Sequence, residues 1–319
     1  MQNLIPAFDW QRVVVAPWTD GFSFTIWIVL MGFFVTAACG LVGNYLLLRR
    51  MALVGDAISH SILPGLIVAF VVFRHVSIWV SLAGALAAAF ATVAIIDFIH
   101  KQSRVKADAA ICIAFTTLFA LGVAMMSSME SKGSMHIDAE CVLYGEIAFV
   151  ALEPPFVWAG WEIGPPSVLR MAVVLCVIAL VIAVFYKELL VTSFDEGLSK
   201  ALGMRTGVWH YGLMAALAIV VVSAFEAVGA ILAVAMLIVP PMFAGQLSEH
   251  LPTRLGLTVL HAALTALLGY HLSVWLGCST AGAMVVAAAG LFVAVWIPPQ
   301  IRKLLRLRAQ PELIVSAMR

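Results

Sequence analysis

The sequence predicts an all-α integral membrane protein, a polytopic bundle of about eight or nine transmembrane helices. Three observations predict it. Hydrophobic residues make up 63% of the 319 residues and charged ones only 11%, with a mean hydropathy of +1.07; a soluble domain carries about a quarter charged residues. Apolar runs of roughly the twenty residues needed to cross a bilayer recur along the whole chain. Lys and Arg gather in alternate connections between those runs, as the positive-inside rule requires.

The runs fall near 23–48, 51–73, 77–99, 107–129, 167–186, 209–226, 229–246, 255–275 and 279–297. Their weakest divisions are 51–73, which contains Pro64-Gly65, and the 226–229 boundary. With the N-terminus outside and nine spans, fourteen of the 18 Lys and Arg lie on the cytoplasmic side, and only Arg12, Arg74, Lys132 and Arg170 lie outside. The expected organisation is an extracytoplasmic segment 1–21, a transmembrane domain 22–298 and a cytoplasmic basic tail 299–319 containing "RKLLRLR". Residues 1–21 lack the basic start and apolar core of a cleaved signal, so the first span is expected to direct insertion.

Two connections are long. The outer one, 130–166, is acidic and carries the helix-breaking pairs Pro154-Pro155 and Pro165-Pro166. The inner one spans 187–208. Neither is large enough for a soluble domain. The five cysteines are odd in number and show no CxxC spacing, so no disulfide framework is implied. A net charge of +1 offers no basic face for nucleic acid. No GxxxxGK[ST], HExxH or GxSxG occurs, and enzymatic activity has no support in the sequence.

The stretch "GDAISHSILPG" (55–65) interrupts this apolar pattern. Asp56 and His60 are four residues apart, so on a helix they share one face about 6 Å apart along the axis. An ionisable group deep in a span costs roughly 2.5–3.5 kcal/mol, and such groups face one another or a watery path. A carboxylate and an imidazole make half of a site for a borderline divalent cation. The same spacing equally suits a hydrogen-bonded pair that stiffens a helix contact. Pro64-Gly65 is expected to break the helix beside them, where broken helices line cavities.

A second stretch, "SFDEGLSKALGM" (193–204), carries Phe194, Leu198 and Leu202 at near-helical spacing with Asp195, Ala201 and Gly203 among them. Such a segment fits a partner's groove or the bilayer surface equally well. Glu226 lies in the apolar run "VVSAFEAVGAILAVAMLIVPPMFAG", as a pathway residue or an exposed turn residue. Pro240-Pro241 is expected to end or kink the following helix. Asp97 and His100 read as solvated helix-end residues, Asp108 as a helix N-terminal acid, and His261 and His271 as packing or interfacial residues. His136 and Asp138 read as solvated residues of the outer loop.

These stretches together resemble the metal-ion permeases of binding-protein-dependent ABC importers, which take up manganese, zinc or iron. The similarity rests on "RRMALVGDAISHSILPG" (49–65), "KADAAICIAFTTLFALGVAMMS" (106–127), "HIDAECVLYGEIAF" (136–149), "TSFDEGLSKALGM" (192–204) and "FEAVGAILAVAMLIVPPMFA" (225–244), in that order. The resemblance covers about residues 22–298. It implies an ABC importer permease fold in a bacterial cytoplasmic (inner) membrane, with the C-terminus cytoplasmic. It implies an ATPase subunit on a separate chain, a second permease subunit (the same chain or a paralogue) and an extracytoplasmic metal-binding protein. Asp56 and His60 match the acid and histidine that face the translocation path. Phe194, Asp195, Leu198, Ala201 and Gly203 fall in the segment that docks on the ATPase, within the 187–208 connection. At Glu226 the family carries polar residues of either type, commonly Gln. No permanently bound cofactor is implied, only the transported divalent ion (Mn, Zn or Fe), and "CVLYGEIA" is closer to manganese and iron members. The residues taken without the resemblance also admit a secondary divalent-metal transporter or channel without an ATPase.

Overall fold

The structure is a computed structural model and describes residues 6–51, 53–73, 78–130, 147–158 and 161–309. In chain order the helices are α1 (Ala16–Thr19), α2 (Phe22–Leu48), α3 (Leu53–Phe73), α4 (Ile78–Gln102), α5 (Ala107–Glu130), α6 (Pro166–Val184), α7 (Tyr186–Phe194), α8 (Glu196–Ala201), α9 (Thr206–Leu247), α10 (Leu251–Leu276) and α11 (Thr280–Ala309). Among the described residues eight helices are long and apolar enough to cross a membrane, and Leu232–Leu247 forms a shorter apolar helix.

Helix α2 is the axis of the bundle. Apolar residues occupy every face of its second half, and Val35 through Leu46 are all buried, the pattern of a helix surrounded by others. It packs against α9, α10 and α6. Two of its glycines set the approach: a Cβ on Gly43 would run into the Leu237 carbonyl, and one on Gly40 would meet Pro240 at 3.3 Å. Asn44 adds a buried polar link, donating through Nδ2 to Gly40 O and to Thr258 Oγ1, each at 2.9 Å. Another buried link joins the last two helices, where His261 Nε2 lies 3.3 Å from Ala288 O.

Helix α9 is two arms. At Gly229 the backbone takes φ 76°, ψ 172°, a conformation open essentially only to glycine. Arg49 Nη1 lies 3.4 Å from His210 Nδ1, while Gly40, about 13 Å back along α2 by helical rise, faces Pro240. A straight helix would separate residues 210 and 240 by about 45 Å. The chain therefore reverses at Gly229, and the two arms correspond to the apolar runs 209–226 and 229–246, of which the first is long enough to cross a membrane and the second is shorter. The 226–229 boundary falls at this reversal.

The expected helix break at Pro64-Gly65 does not occur, and the helix does not end at Pro240-Pro241. Helix α3 runs unbroken from Leu53 to Phe73 through Pro64 and Gly65. A proline removes one backbone donor, and neighbouring helices compensate: α4 presents the Gly84 backbone to Gly65, and α5 presents Gly122 to Pro64, where a Cβ would stand 2.8 Å from Pro64 Cδ. Packing on both sides holds the helix. Likewise α9 continues past Pro240-Pro241 to Leu247, because both rings seat against the glycines of α2.

One end of the bundle is capped by the N-terminal segment. Trp18 Nε1 donates to His271 Nε2 at 3.3 Å, His271 Nδ1 lies 2.9 Å from Val13 O, and Thr25 Oγ1 donates to Pro17 O at 2.8 Å. A small antiparallel ribbon, β1 (Phe156–Trp158) with β2 (Trp161–Gly164), lies at the same end, where Gly164 packs on Trp27. The sequence reading had no strands in the outer connection. Its residues 131–146, including Cys141, His136 and Asp138, lie outside the described residues, as do 310–319 of the basic tail.

Candidate functional site

Asp56 sits in the first turn of α3 and His60 one turn on. The shared face predicted by their spacing is formed: His60 Nε2 is 3.3 Å from Asp56 Oδ1, with the side chains 31% and 35% exposed respectively. The imidazole packs beside Phe115 and Phe119 of α5, with ring centroids 6.0 and 5.6 Å away. Its depth follows from the glycine contacts. Leu237 is met by Gly43 of α2 and by Gly55 of α3, so those glycines share a level, about 9 Å of helical rise from Arg49. His60 stands roughly 7 Å further on, or about 16 Å from the Arg49 end. In a hydrocarbon core of about 30 Å this is the midplane.

Two ligands do not make a closed metal site. Among the described residues no group of three or more His, Cys, Asp and Glu converges. Glu226 lies on α9 just before the Gly229 reversal, and its side chain lies outside the described residues. Pro64 and Gly65 belong to the packed seam between α3, α4 and α5, and no break opens there.

The 193–204 segment forms a short helix with both ends defined by its own sequence. Asp195 is the N-cap of α8, and its carboxylate accepts from Leu198 N at 3.0 Å. At the other end Gly203 N bonds Lys200 O and Met204 N bonds Ser199 O, each at 3.0 Å, with Gly203 at φ 75°. This is the Schellman arrangement, which needs a left-handed residue where glycine stands. Across the helix and its flanks an apolar face turns outward: Phe194, the last residue of α7, is 79%, Leu198 50% and the C-cap Leu202 63% exposed, and Ala201 is exposed beside them. Ser199 is buried and anchors the opposite face.

The sequence reading missed a polar cluster beneath this helix. Asp97 is no solvated end residue; its side chain is 14% exposed. Its Oδ2 accepts from Lys101 Nζ at 2.8 Å and Tyr211 OH at 2.9 Å, and Oδ1 lies 3.4 Å from His210 Nε2. Arg49, at the C-cap of α2, donates to Ser193 Oγ at 3.1 Å and to Thr192 Oγ1 at 3.2 Å. These residues come from four helices, and each alone reads as an interfacial polar residue. The available signal was their shared position, at or within about two turns of a helix terminus on one side of the bundle.

The chain thus brings an acid–imidazole pair on an apolar helix and a capped, outward-facing apolar knob into one helical membrane bundle. The model of the ABC 3 transport family matches residues 21–298. The chain belongs to the ABC 3 transport family. As a family member it is a membrane permease, a transport component rather than a catalytic chain, and a multi-pass part of an ABC transporter complex. The manganese transport system membrane protein MntD of Bacillus subtilis is 40% identical over 248 residues, 78% of this chain and 83% of that protein. The zinc transport system membrane protein TroD of Treponema pallidum is 38% identical over 216 residues, 68% of this chain and 58% of that one. In the solved structure of PsaBC from Streptococcus pneumoniae in complex with Fab, one chain superposes with a TM-score of 0.74 at 31% identity. That match covers 92% of this chain and 100% of the other.

Proposed function

We propose that this ABC 3 permease imports divalent metal ions, manganese ahead of zinc or iron, past Asp56 and His60. The observation that carries the reading is the 3.3 Å acid–imidazole pair on α3, placed at midplane depth in a chain of this family. Several relatives similar to it are manganese systems. Asp56 and His60 give two ligands where a divalent ion takes at least four. A second permease subunit, the same chain or a paralogue, supplies the other half, and the exposed third of each side chain is the face it covers.

The Arg49 end is cytoplasmic, because Arg49, Lys101, Lys200, Arg205 and Arg254 all gather there. The N-terminal segment and the Phe156–Gly164 ribbon then face an extracytoplasmic metal-binding protein. Phe194, Leu198 and Leu202 dock on a separate ATPase chain, with Asp195, Ala201 and Gly203 shaping the helix that presents them. Glu226 remains in the proposal as a polar residue of the pathway beside the Gly229 reversal. The protein sits in a bacterial cytoplasmic membrane and holds metal only in transit.

Uptake of radioactive manganese by cells carrying the complete transporter tests this. Asp56→Ala and His60→Ala abolish uptake while the complex still co-purifies; full uptake by both variants refutes the assignment. Competition by zinc and iron in the same assay ranks the ions. Uptake that survives deletion of the ATPase refutes the ATP-driven reading.

A further inference from the structure

We infer that Arg49, His210 and Asp97 form a transmission linkage that couples the ATPase-docking segment to the helix pair carrying Asp56 and His60. The inference rests on the proposed function, and it assigns these three as positioning residues for transport.

The chain of contacts runs through two hydrogen bonds from Arg49 to α7, an Arg49–His210 contact and a close charged-pair approach of His210 to Asp97. Thr192 and Ser193 lie in the last turn of α7, immediately before its exposed final residue Phe194. Arg49 holds both hydroxyls through Nη2 and Nε, at 3.2 and 3.1 Å. Its Nη1 lies 3.4 Å from His210 Nδ1. A guanidinium can only donate, so Nδ1 accepts and the imidazole proton resides on Nε2. Nε2 in turn faces Asp97 Oδ1 at 3.4 Å. An imidazole that accepts from Arg49 therefore stands between a cation on α2 and a carboxylate on α4. Arg49 contributes to two elements at once, and His210 opens the first arm of α9.

The far end of the linkage is fixed to the transport site. Asp97 lies on α4, and α4 is joined to α3 by the Gly65–Gly84 seam, where neither backbone leaves room for a Cβ. Close-packed backbones of this kind move together or not at all. A displacement of the docking segment thus reaches α3 through close polar contacts at one end and a backbone seam at the other. Apolar contacts alone would let α7 slide over α2. Asp97 is 14% and His210 22% exposed, so water competes little for the bonds.

The test uses the complete complex, with its ATPase and binding protein, reconstituted in liposomes. Manganese uptake and ATP hydrolysis are measured together, and the readout is ions moved per ATP. Asp97→Asn and His210→Phe are each expected to lower that ratio roughly tenfold, within the usual range of coupling between sites, while hydrolysis continues. The double variant is no worse than either single one, since both cut the same linkage. His210→Gln, whose amide offers one acceptor and one donor at similar spacing, restores the ratio. An unchanged ratio in both single variants overturns the linkage. So does a parallel fall of uptake and hydrolysis, or loss of assembly in all variants including His210→Gln, since a static staple predicts those results. A wild-type complex that moves no metal on ATP addition overturns the proposed function itself, and is thereby told apart from failure of the linkage alone.

Discussion

Replacing Gly229 with alanine tests the reversal that divides α9 into two arms. The backbone there has φ 76° and ψ 172°, where a Cβ costs about 1–3 kcal/mol. The chain has no cheap escape from that strain. The second arm, Ala230 to Leu247, is about 27 Å long by helical rise, so tilting it 10° to relax Gly229 moves its far end by about 5 Å. Leu237 on that arm is already held between Gly43 and Gly55, with its carbonyl against the Gly43 backbone. The full strain therefore appears as lost stability. At about 2–4 °C per kcal/mol for chains somewhat shorter than this one, thermal unfolding of the detergent-purified protein should shift down by several degrees. Tryptophan fluorescence can follow it, with nine Trp in the chain. Gly256→Ala is the reference: that glycine is exposed inside α10 with nothing within 4 Å of an added Cβ. It should gain about 0.5–1 kcal/mol from reduced unfolded-state freedom. If Gly229→Ala unfolds at or above the temperature of Gly256→Ala, the glycine-only reversal is wrong.

Asp195→Ala removes the N-cap of a six-residue helix, a loss of about 1 kcal/mol, and should weaken ATPase retention on purification about fivefold. Asp195→Ser keeps the cap and should restore it; a serine variant as weak as alanine would make charge, not capping, the cause. Asn44→Ala deletes the buried bond to Thr258, but Thr258 keeps its bond to Arg254 O at 2.8 Å, so no hydroxyl is orphaned. The expected cost is about 1 kcal/mol, in line with interhelical bonds in membranes, and a fall in thermal midpoint of 10 °C or more would contradict it.

Span positions were legible because the signal is composition itself: with lipid as solvent, a helix must be apolar for its whole length. The Asp56–His60 contact was legible because four residues along a helix fix the geometry without any partner. The prolines misled because their effect is decided by neighbours. Nothing near Pro64 in the sequence announces that Gly84 and Gly122 will close around it. The Arg49–His210–Asp97 cluster was hidden for the same reason. Residues 49, 97 and 210 meet only after every connection from α2 to α9 is fixed, and a polar residue near a helix end reads locally as solvated. Asp195 and Gly203 were picked out for the right stretch, but their observed work is capping, which is local chemistry the sequence does encode.

Charge balance connects the midplane pair to the kind of ion proposed for it. A metal takes its ligands deprotonated, a carboxylate and a neutral imidazole, so in that form each Asp56–His60 pair carries one negative charge into a region where an isolated ion costs several kcal/mol. Pairing at 3.3 Å tempers that cost without cancelling the charge, while the Phe115 and Phe119 rings beside the imidazole keep the surroundings apolar. Two such pairs facing one another across a permease dimer would repel until a cation arrives. A divalent ion brings the assembly of two carboxylates, two imidazoles and metal to net zero, the state a low-dielectric midplane favours most. A monovalent ion leaves one negative charge and a trivalent ion adds one positive. Within the proposed function, selection for valence thus resides in the permease itself, while choice among divalent ions falls to the binding protein that delivers them, since oxygen and imidazole ligands accept several of them.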